Sequence, residues 1–349
     1  MPGPPPPPNP VFSDAHPADR DAARRRIEVL LCTYNGERFV EAQLASILAQ
    51  TRPVDLIHVH DDASTDATAA LVGHLADEHR RSGGTTEIRL HVRERNLGYG
   101  GNFWDAIARS TGDVLLLCDQ DDVWHPDKVA RLEAALADAA VGIAFSDGDL
   151  TGPDGARLGD GGVLAEYGLT RAAIDAFADD PLRHLLRRNC VNGAAAALRG
   201  DLARGAPPLP AGMPHDQWLV MWCCALGHGI VCLPDRLYGY RQHGGNVIGI
   251  GHRRRHHHLL GLWHSAWASR ERDRWMYERF ARWQDTLAPT PGLRRIAAKR
   301  AWLARMHDAR QGPGLLAWRI AVSALAGRYR RFGTGDTLLR DLFRLARTR

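Results

Sequence analysis

Three carboxylates fall within four residues at Asp119-Gln120-Asp121-Asp122. Carboxylates this close repel one another unless a cation sits between them, and hard oxygen ligands of this kind suit Mg2+ or Mn2+. The cluster directly follows the apolar run Val114-Leu115-Leu116-Leu117, opened by Gly112-Asp113. Such a run predicts a fully buried parallel strand. Ligands of open α/β sheets bind beyond the carboxyl ends of the strands, so an active site is expected here. The alternative is an acidic turn that caps a helix beginning near Pro126.

The elements that would position this cluster can be read from both sides of it. Ile27–Cys32 predicts a first strand ending in the polar turn Thr33-Tyr34-Asn35-Gly36, followed by helical spacing through Phe39, Leu44, Ile47 and Leu48. Leu56–His60 predicts a second strand, ending in Asp61-Asp62-Ala63-Ser64-Thr65-Asp66, with Ser64 or Thr65 expected to cap the next helix. A third strand is expected over Glu87–Val92. After it, Asn96-Leu97-Gly98 leads into a helix through Ala108. Beyond the acidic cluster, Pro126–Ala139 reads as helix and Val141–Ser146 as a fifth strand. This alternation means an α/β fold whose parallel sheet is covered on both faces. Farther on come a helix near 170–178, a small-residue strand at Asn192–Leu198, an apolar helix opened by His215-Asp216-Gln217-Trp218, and a short strand at Ile230–Leu233. Tyr34, Asp62, Asn96 and Asp119–Asp122 all fall at or after strand ends and should converge.

The chain has 349 residues and a formal net charge of +5, with its arginines concentrated in the last hundred residues. That asymmetry suggests a basic appendage facing an anionic surface or substrate; no recognised nucleic-acid motif accompanies it. The six cysteines form no CxxC pair, which favours a reducing compartment. Residues 1–25 are Pro-rich and charged and read as a disordered tail without a signal-peptide core. No run approaches the roughly 18 apolar residues that span a membrane. A cytoplasmic protein is expected.

Five motifs in order, Thr33-Tyr34-Asn35-Gly36, Asp61–Asp66, Asn96-Leu97-Gly98, Asp119–Trp124 and His215-Asp216-Gln217-Trp218, resemble those of the family 2 inverting glycosyltransferases of GT-A fold. The resemblance covers roughly residues 27 to 250. The Asp-Gln-Asp-Asp-x-Trp form and Tyr240-Arg241-Gln242-His243-Gly244-Gly245-Asn246 look most like the bacterial rhamnosyltransferase branch, which builds cell-surface polysaccharides. The resemblance implies a nucleotide-sugar site made by Thr33, Tyr34, Asn35 and Asp62. Asp62 would accept the N3–H of a uracil or thymine ring, a charge-assisted bond. Asp119 would lie near the ribose, and Asn96 and Gly98 would shape the sugar pocket. Asp121 resembles the family's metal ligand, and His243 a histidine that approaches metal or diphosphate. Arg241 is a diphosphate partner by the match of guanidinium to phosphate oxygens. Asp122 stays unassigned. Asp216 resembles the general base; the alternative is a cap for a helix starting at Gln217. Many relatives carry Glu where this chain has His215.

The implied enzyme is an inverting glycosyltransferase that uses Mg2+ or Mn2+. It would move a sugar, L-rhamnose from dTDP-L-rhamnose, to a glycan or lipid-linked acceptor. A UDP-hexose or UDP-N-acetylhexosamine donor is the nearest rival, since Asp62 reads an edge that uracil and thymine share. A nucleotidyltransferase would need a Gly-rich basic loop after the first strand, and a non-catalytic sugar binder would not need both Asp121 and Asp216. Residues 26–250 are expected to be the GT-A domain, and 251–349 a basic helical extension. The run His252–His258 reads as a solvated hinge. The Arg, Trp and Leu pattern after it suits packing or contact with an anionic leaflet.

Overall fold

A computed structural model describes residues 24–187, 189–246, 289–306 and 313–332, together with 278, 287, 337, 338, 341, 342 and 345. The Pro-rich tail through residue 23 and the His252–His258 run lie outside the described residues.

The apolar runs become the strands expected of them. β1 (Ile27–Thr33) is buried along its whole length. α1 (Val40–Leu48) follows it, then β2 (Leu56–Asp61), α2 (Thr68–Arg81), β3 (Glu87–Val92), α3 (Gly98–Arg109) and β4 (Val114–Asp119). β1 pairs in parallel with β2 on one side and β4 on the other, and β2 pairs in parallel with β3. The chain therefore reverses its direction of growth at β1. That is the switch point at which open α/β sheets leave a crevice.

The remainder completes one mixed sheet. β5 (Val123–Trp124), α4 (Lys128–Ala135), β6 (Val141–Thr151), β7 (Arg157–Gly162), α5 (Arg171–Asp179), β8 (Ala196–Arg199), α6 (His215–Leu226) and β9 (Gly229–Arg241) follow in sequence. The strand order is β3-β2-β1-β4-β8-β6-β9-β5, with β7 on β6. β8 lies antiparallel to both β4 and β6, while β6 and β9 pair in parallel, so the second half of the sheet is mixed. The fold is GT-A, with helices after the sheet.

Several local expectations are corrected. α2 starts at Thr68 with Ala67 at its cap and no side-chain cap bond. Ser64 instead turns its hydroxyl onto Asp61 Oδ2 at 2.6 Å. α4 starts at Lys128, so no carboxylate of the acidic cluster caps it. Gly193–Ala195 is a 3-10 turn, and β8 begins only at Ala196. α6 begins at His215 with Pro214 at the cap, which places Asp216 inside its first turn. β9 is much longer than the four residues expected. Its register jumps from Ser146↔Leu233 to Asp147↔Arg236, so Pro234 and Asp235 bulge out where proline has no N–H to give.

Three C-terminal helices follow among the described residues, α7 (Pro291–Met306), α8 (Pro313–Leu325) and α9 (Arg328–Phe332). α7 docks on the first domain: Arg295 forms a two-pronged ion pair with Asp180 at 2.8 and 3.0 Å, and Lys299 donates to the Leu186 carbonyl. A Cβ at Gly292 would lie 2.0 Å from the Cys224 carbonyl oxygen, so only glycine allows this approach.

Candidate active site

The strand ends β1, β2 and β4 open onto a cavity of about 410 Å³. Thr33, Tyr34, Asp62, Asn96, Gly98, Asp119, Asp121 and Asp216 all line it. Residues from distant parts of the chain are thus brought together by the strand order alone.

The nucleotide side is held by loops laced to one another. Tyr34 N–H donates to Gln120 Oε1 at 2.8 Å and Gln120 Nε2 donates back to the Tyr34 carbonyl at 3.0 Å. This clamp spans the crevice between β1 and β4. A Cβ at Gly36 would meet Gln120 Oε1 at 2.1 Å, which explains the glycine. Asn35 sits in the left-handed region at φ 48° and ties the first loop to the second: it donates its N–H to Ser64 Oγ and accepts from Thr65 N. It is not among the cavity-lining residues. Thr33 Oγ1 donates to buried Asp61 at 2.9 Å.

Asp62 is buried and oriented. Its Oδ1 accepts from Leu97 N–H at 2.8 Å, and Asn96 Nδ2 donates to its carbonyl at 3.1 Å. Burial pushes its carboxyl upward, against hydrogen bonds from Leu97 and Gly98 and the charge of Arg93. Gly98 has φ 75° and its N–H donates to Asn96 Oδ1. Asn96 and Gly98 therefore build the loop that fixes Asp62 as well as lining the cavity.

The acidic cluster divides by environment. Asp119 lies at the end of β4; burial and the charges of Asp121 and Asp216 raise its carboxyl to about 7. Asp216 and Asp119 thus sense each other across the cavity. Asp121 Oδ2 lies 2.7 Å from His243 Nε2, and Asn246 Nδ2 donates to the same oxygen at 3.3 Å. His243 Nδ1 accepts from Gly245 N–H, which leaves Nε2 to face Asp121. Asp121 supplies a carboxylate oxygen of the kind that suits Mn2+ or Mg2+; with Nδ1 accepting, His243 Nε2 carries the ring proton and bonds Asp121, and would ligate only after a change of tautomer. Asp122 points inward: it is buried, accepts from Arg241 N–H at 3.1 Å, and burial with its two acidic neighbours raises it well above the carboxylate range.

Arg241 closes β9 and is turned away from the cavity. Its guanidinium donates to the carbonyls of Asp121 and Pro153 and lies over the Phe39 ring. It braces the loop that carries Asp121.

The structure adds residues that the motifs did not indicate. Lys128 is fully buried beneath the cluster. Its Nζ donates to the Ala194 carbonyl at 2.6 Å and sits 4.1 and 4.6 Å from the Trp124 and Tyr238 ring centres. Burial lowers its ammonium to about 8, against the pull of Cys118, Asp122 and Asp119. This cation allows several acids to share one strand end. His215, also buried, lines the cavity with its ring stacked on Phe103 at 4.1 Å. Gln120 and His215 occupy motif positions, so their place was visible; Lys128 had no signal beyond its helix.

This geometry can be set beside known proteins. Residues 28–159 match the family model described as glycosyl transferase family 2. Over those residues the chain is similar to the family 2 glycosyltransferases. It is 27% identical over 250 residues to the uncharacterized protein Rv1520 of Mycobacterium tuberculosis, a match covering 70% of this chain and 63% of that protein. It is 35% identical over 103 residues to the dTDP-rhamnosyl transferase RfbG of Shigella flexneri, covering 28% of this chain and 34% of that one. The mannosyltransferase PcManGT of Pyrobaculum calidifontis, solved with GDP-Man and Mn2+, superposes with a TM-score of 0.52 at 21% identity. That likeness covers 87% of this chain and 76% of the other. Among the described residues no helix is long and apolar enough to cross a membrane.

Proposed function

We propose that the chain is an inverting, metal-dependent glycosyltransferase. In this reading it transfers L-rhamnose from dTDP-L-rhamnose to a hydroxyl of a cell-surface polysaccharide or lipid-linked glycan. The observation that carries it is one cavity at the switch point, with the Asp121–His243 pair, the Asp62 loop and the Asp216 carboxylate all converging on it. Residues 26–250 form the catalytic domain in this reading, and 251–349 an extension docked on it. The likeness to RfbG supports rhamnose, and the Mn2+ held by the mannosyltransferase supports a divalent ion.

Each side chain then has a task. Asp62 accepts the imide N–H of the pyrimidine, with Thr33, Tyr34 and Asn35 framing the base and Asp119 on the ribose side. Asp121 and His243 hold the cation, which, when bound, neutralises the departing diphosphate. Asn96 and Gly98 shape the sugar pocket. Asp216 takes the proton as the acceptor oxygen attacks the anomeric carbon from the face opposite the diphosphate. The new C–O bond forms as the bond to the phosphate oxygen breaks. The electron pair leaves on the nucleotide, so one base suffices.

Asp216→Asn is expected to lower transfer by about 10²- to 10⁴-fold, the usual contribution of a general base, while donor affinity stays unchanged. Near-normal transfer by a variant that binds donor normally would remove Asp216 from this role.

A further inference from the structure

We propose that His58, His60 and His91 form a second metal site, for a transition-metal ion of the Zn2+ class, in the layer between the sheet and α3. It is separate from Asp121 and His243.

The backbone places these three side chains together. His60 and His91 are paired residues of neighbouring parallel strands, β2 and β3, and His58 lies two residues before His60 on the same face. One ligand nitrogen from each lies within 4.8 Å of the others. The ring centres are 4.9 Å apart for His60 and His91, 5.9 Å for His58 and His91, and 6.0 Å for His58 and His60. His58 and His60 are 4% and 0% exposed.

Their nitrogens are otherwise unaccounted for. His58 Nδ1 and His60 Nε2 have no hydrogen-bond partner, while His58 Nε2 faces Glu28 Oε2 at 3.3 Å. A buried polar atom left unpaired is destabilising, and here the unpaired nitrogens belong to one cluster. A tetrahedral ion with nitrogen ligands at about 2.0–2.1 Å resolves them together. His91 is half-buried and opens onto a surface groove of about 470 Å³. That groove gives an ion its entry.

The surroundings suit such a site. On its other edge, His60 Nδ1 has Asp105 Oδ2 at 3.8 Å, too far for a hydrogen bond. The Arg93 guanidinium, 3.3 Å from the same Nδ1, is paired with Asp105 at 2.6 Å and lies on the side away from the free Nε2. Glu28 Oε2, 3.3 Å from His58 Nε2, steadies that ring; its two oxygens are also taken by Arg26 and Thr111, so a fourth ligand would be water. Three imidazoles select Zn2+, Cu2+ or Ni2+ over Mg2+. β2 runs from these histidines straight into Asp61 and Asp62, and Asn102 ties α3 to the His60 carbonyl at 2.7 Å. An ion here would fasten β2 and β3 beneath the nucleotide loop.

The test uses the full chain, purified without an added histidine tag, stripped with chelator and supplied with excess Mg2+. Equilibrium dialysis against Zn2+ is run on wild type, His58→Gln and His91→Gln, all of which keep the His252–His258 run. Wild type is expected to hold one more Zn2+ than either variant, with at least tenfold loss of affinity for that equivalent, and to gain thermal stability from Zn2+ that the variants do not. Equal stoichiometry and equal thermal shift in all three would overturn the site. On wild type alone, Zn2+ is expected to protect His91 from acylation by diethylpyrocarbonate, read by peptide mass spectrometry. Unchanged modification of His91 would also overturn it.

Discussion

Asp119, Asp122 and Lys128 each lose water to the fold, and each shifts toward its neutral form for that reason. Their charges limit these shifts: the buried ammonium beneath the cluster opposes the rise of both acids, and Arg241 N–H bonds one of them. Asp121 and Asp216 stay at the cavity wall, where a cation and an acceptor hydroxyl can reach them. The motif types and order made the cavity residues readable from sequence. Lys128 was not readable, because a lysine at the head of an amphipathic helix looks solvent-facing until the 3-10 turn at Gly193–Ala195 covers it. His215 was visible only as a departure from Glu. Its burial gives a testable consequence. Burial lowers its imidazole to about 3, whereas the unfolded chain titrates near the ordinary value. The unfolded form therefore gains protons first as pH falls, and stability is lost below about pH 6.5, by about 2 kcal/mol at pH 5. Urea unfolding of His215→Gln is expected to lack this part of the acid sensitivity. Parallel pH profiles for variant and wild type would show that His215 does not titrate in this way.

At the scale of elements, the first four strands were legible because β1, β2 and β4 are short, mostly apolar runs and β3 alternates polar and apolar residues, each closed by a polar turn. Period and punctuation agreed there. The second half was less so. β8 is four residues long and pairs antiparallel between β4 and β6, which local pattern cannot indicate because partner and direction are tertiary facts. β9 hides behind Pro234, which reads as a strand end and is a bulge. The hydroxyls of Ser64 and Thr68, suited to helix capping, are used to lace the β1 loop to the β2 loop. The left-handed φ of 63° at Ala63, unusual for a residue with a Cβ, lies in that same loop beside Asp62.

Over the whole molecule, the basic C-terminal part is anchored rather than loose where the structure describes it. Arg295, Lys299 and Gly292 seat α7 against Asp180, Leu186 and Cys224. α8 then presents Leu315, Trp318 and Leu325 outward at helical spacing, 44%, 62% and 89% exposed, near Arg328, Arg330 and Arg331. Apolar anchors beside arginines suit an anionic leaflet, which is where a lipid-linked acceptor would be met. Trp318→Ala combined with Leu325→Ala is expected to cut sedimentation with phosphatidylglycerol vesicles several-fold while donor turnover is unchanged. Undiminished vesicle binding would rule out this face.

The central claim is metal-dependent use of a nucleotide sugar at the cavity that Asp62, Asp121 and Asp216 share. Nucleotide release from a panel of dTDP-L-rhamnose, UDP-glucose, UDP-N-acetylglucosamine and GDP-mannose, with Mn2+ and with chelator, tests it most directly. The expected result is release of dTDP at least tenfold faster than any other nucleotide, abolished by chelator and by Asp121→Ala. Faster release from a UDP- or GDP-sugar would contradict the rhamnose assignment. Release from none of them, or release untouched by chelator, would contradict the account as a whole.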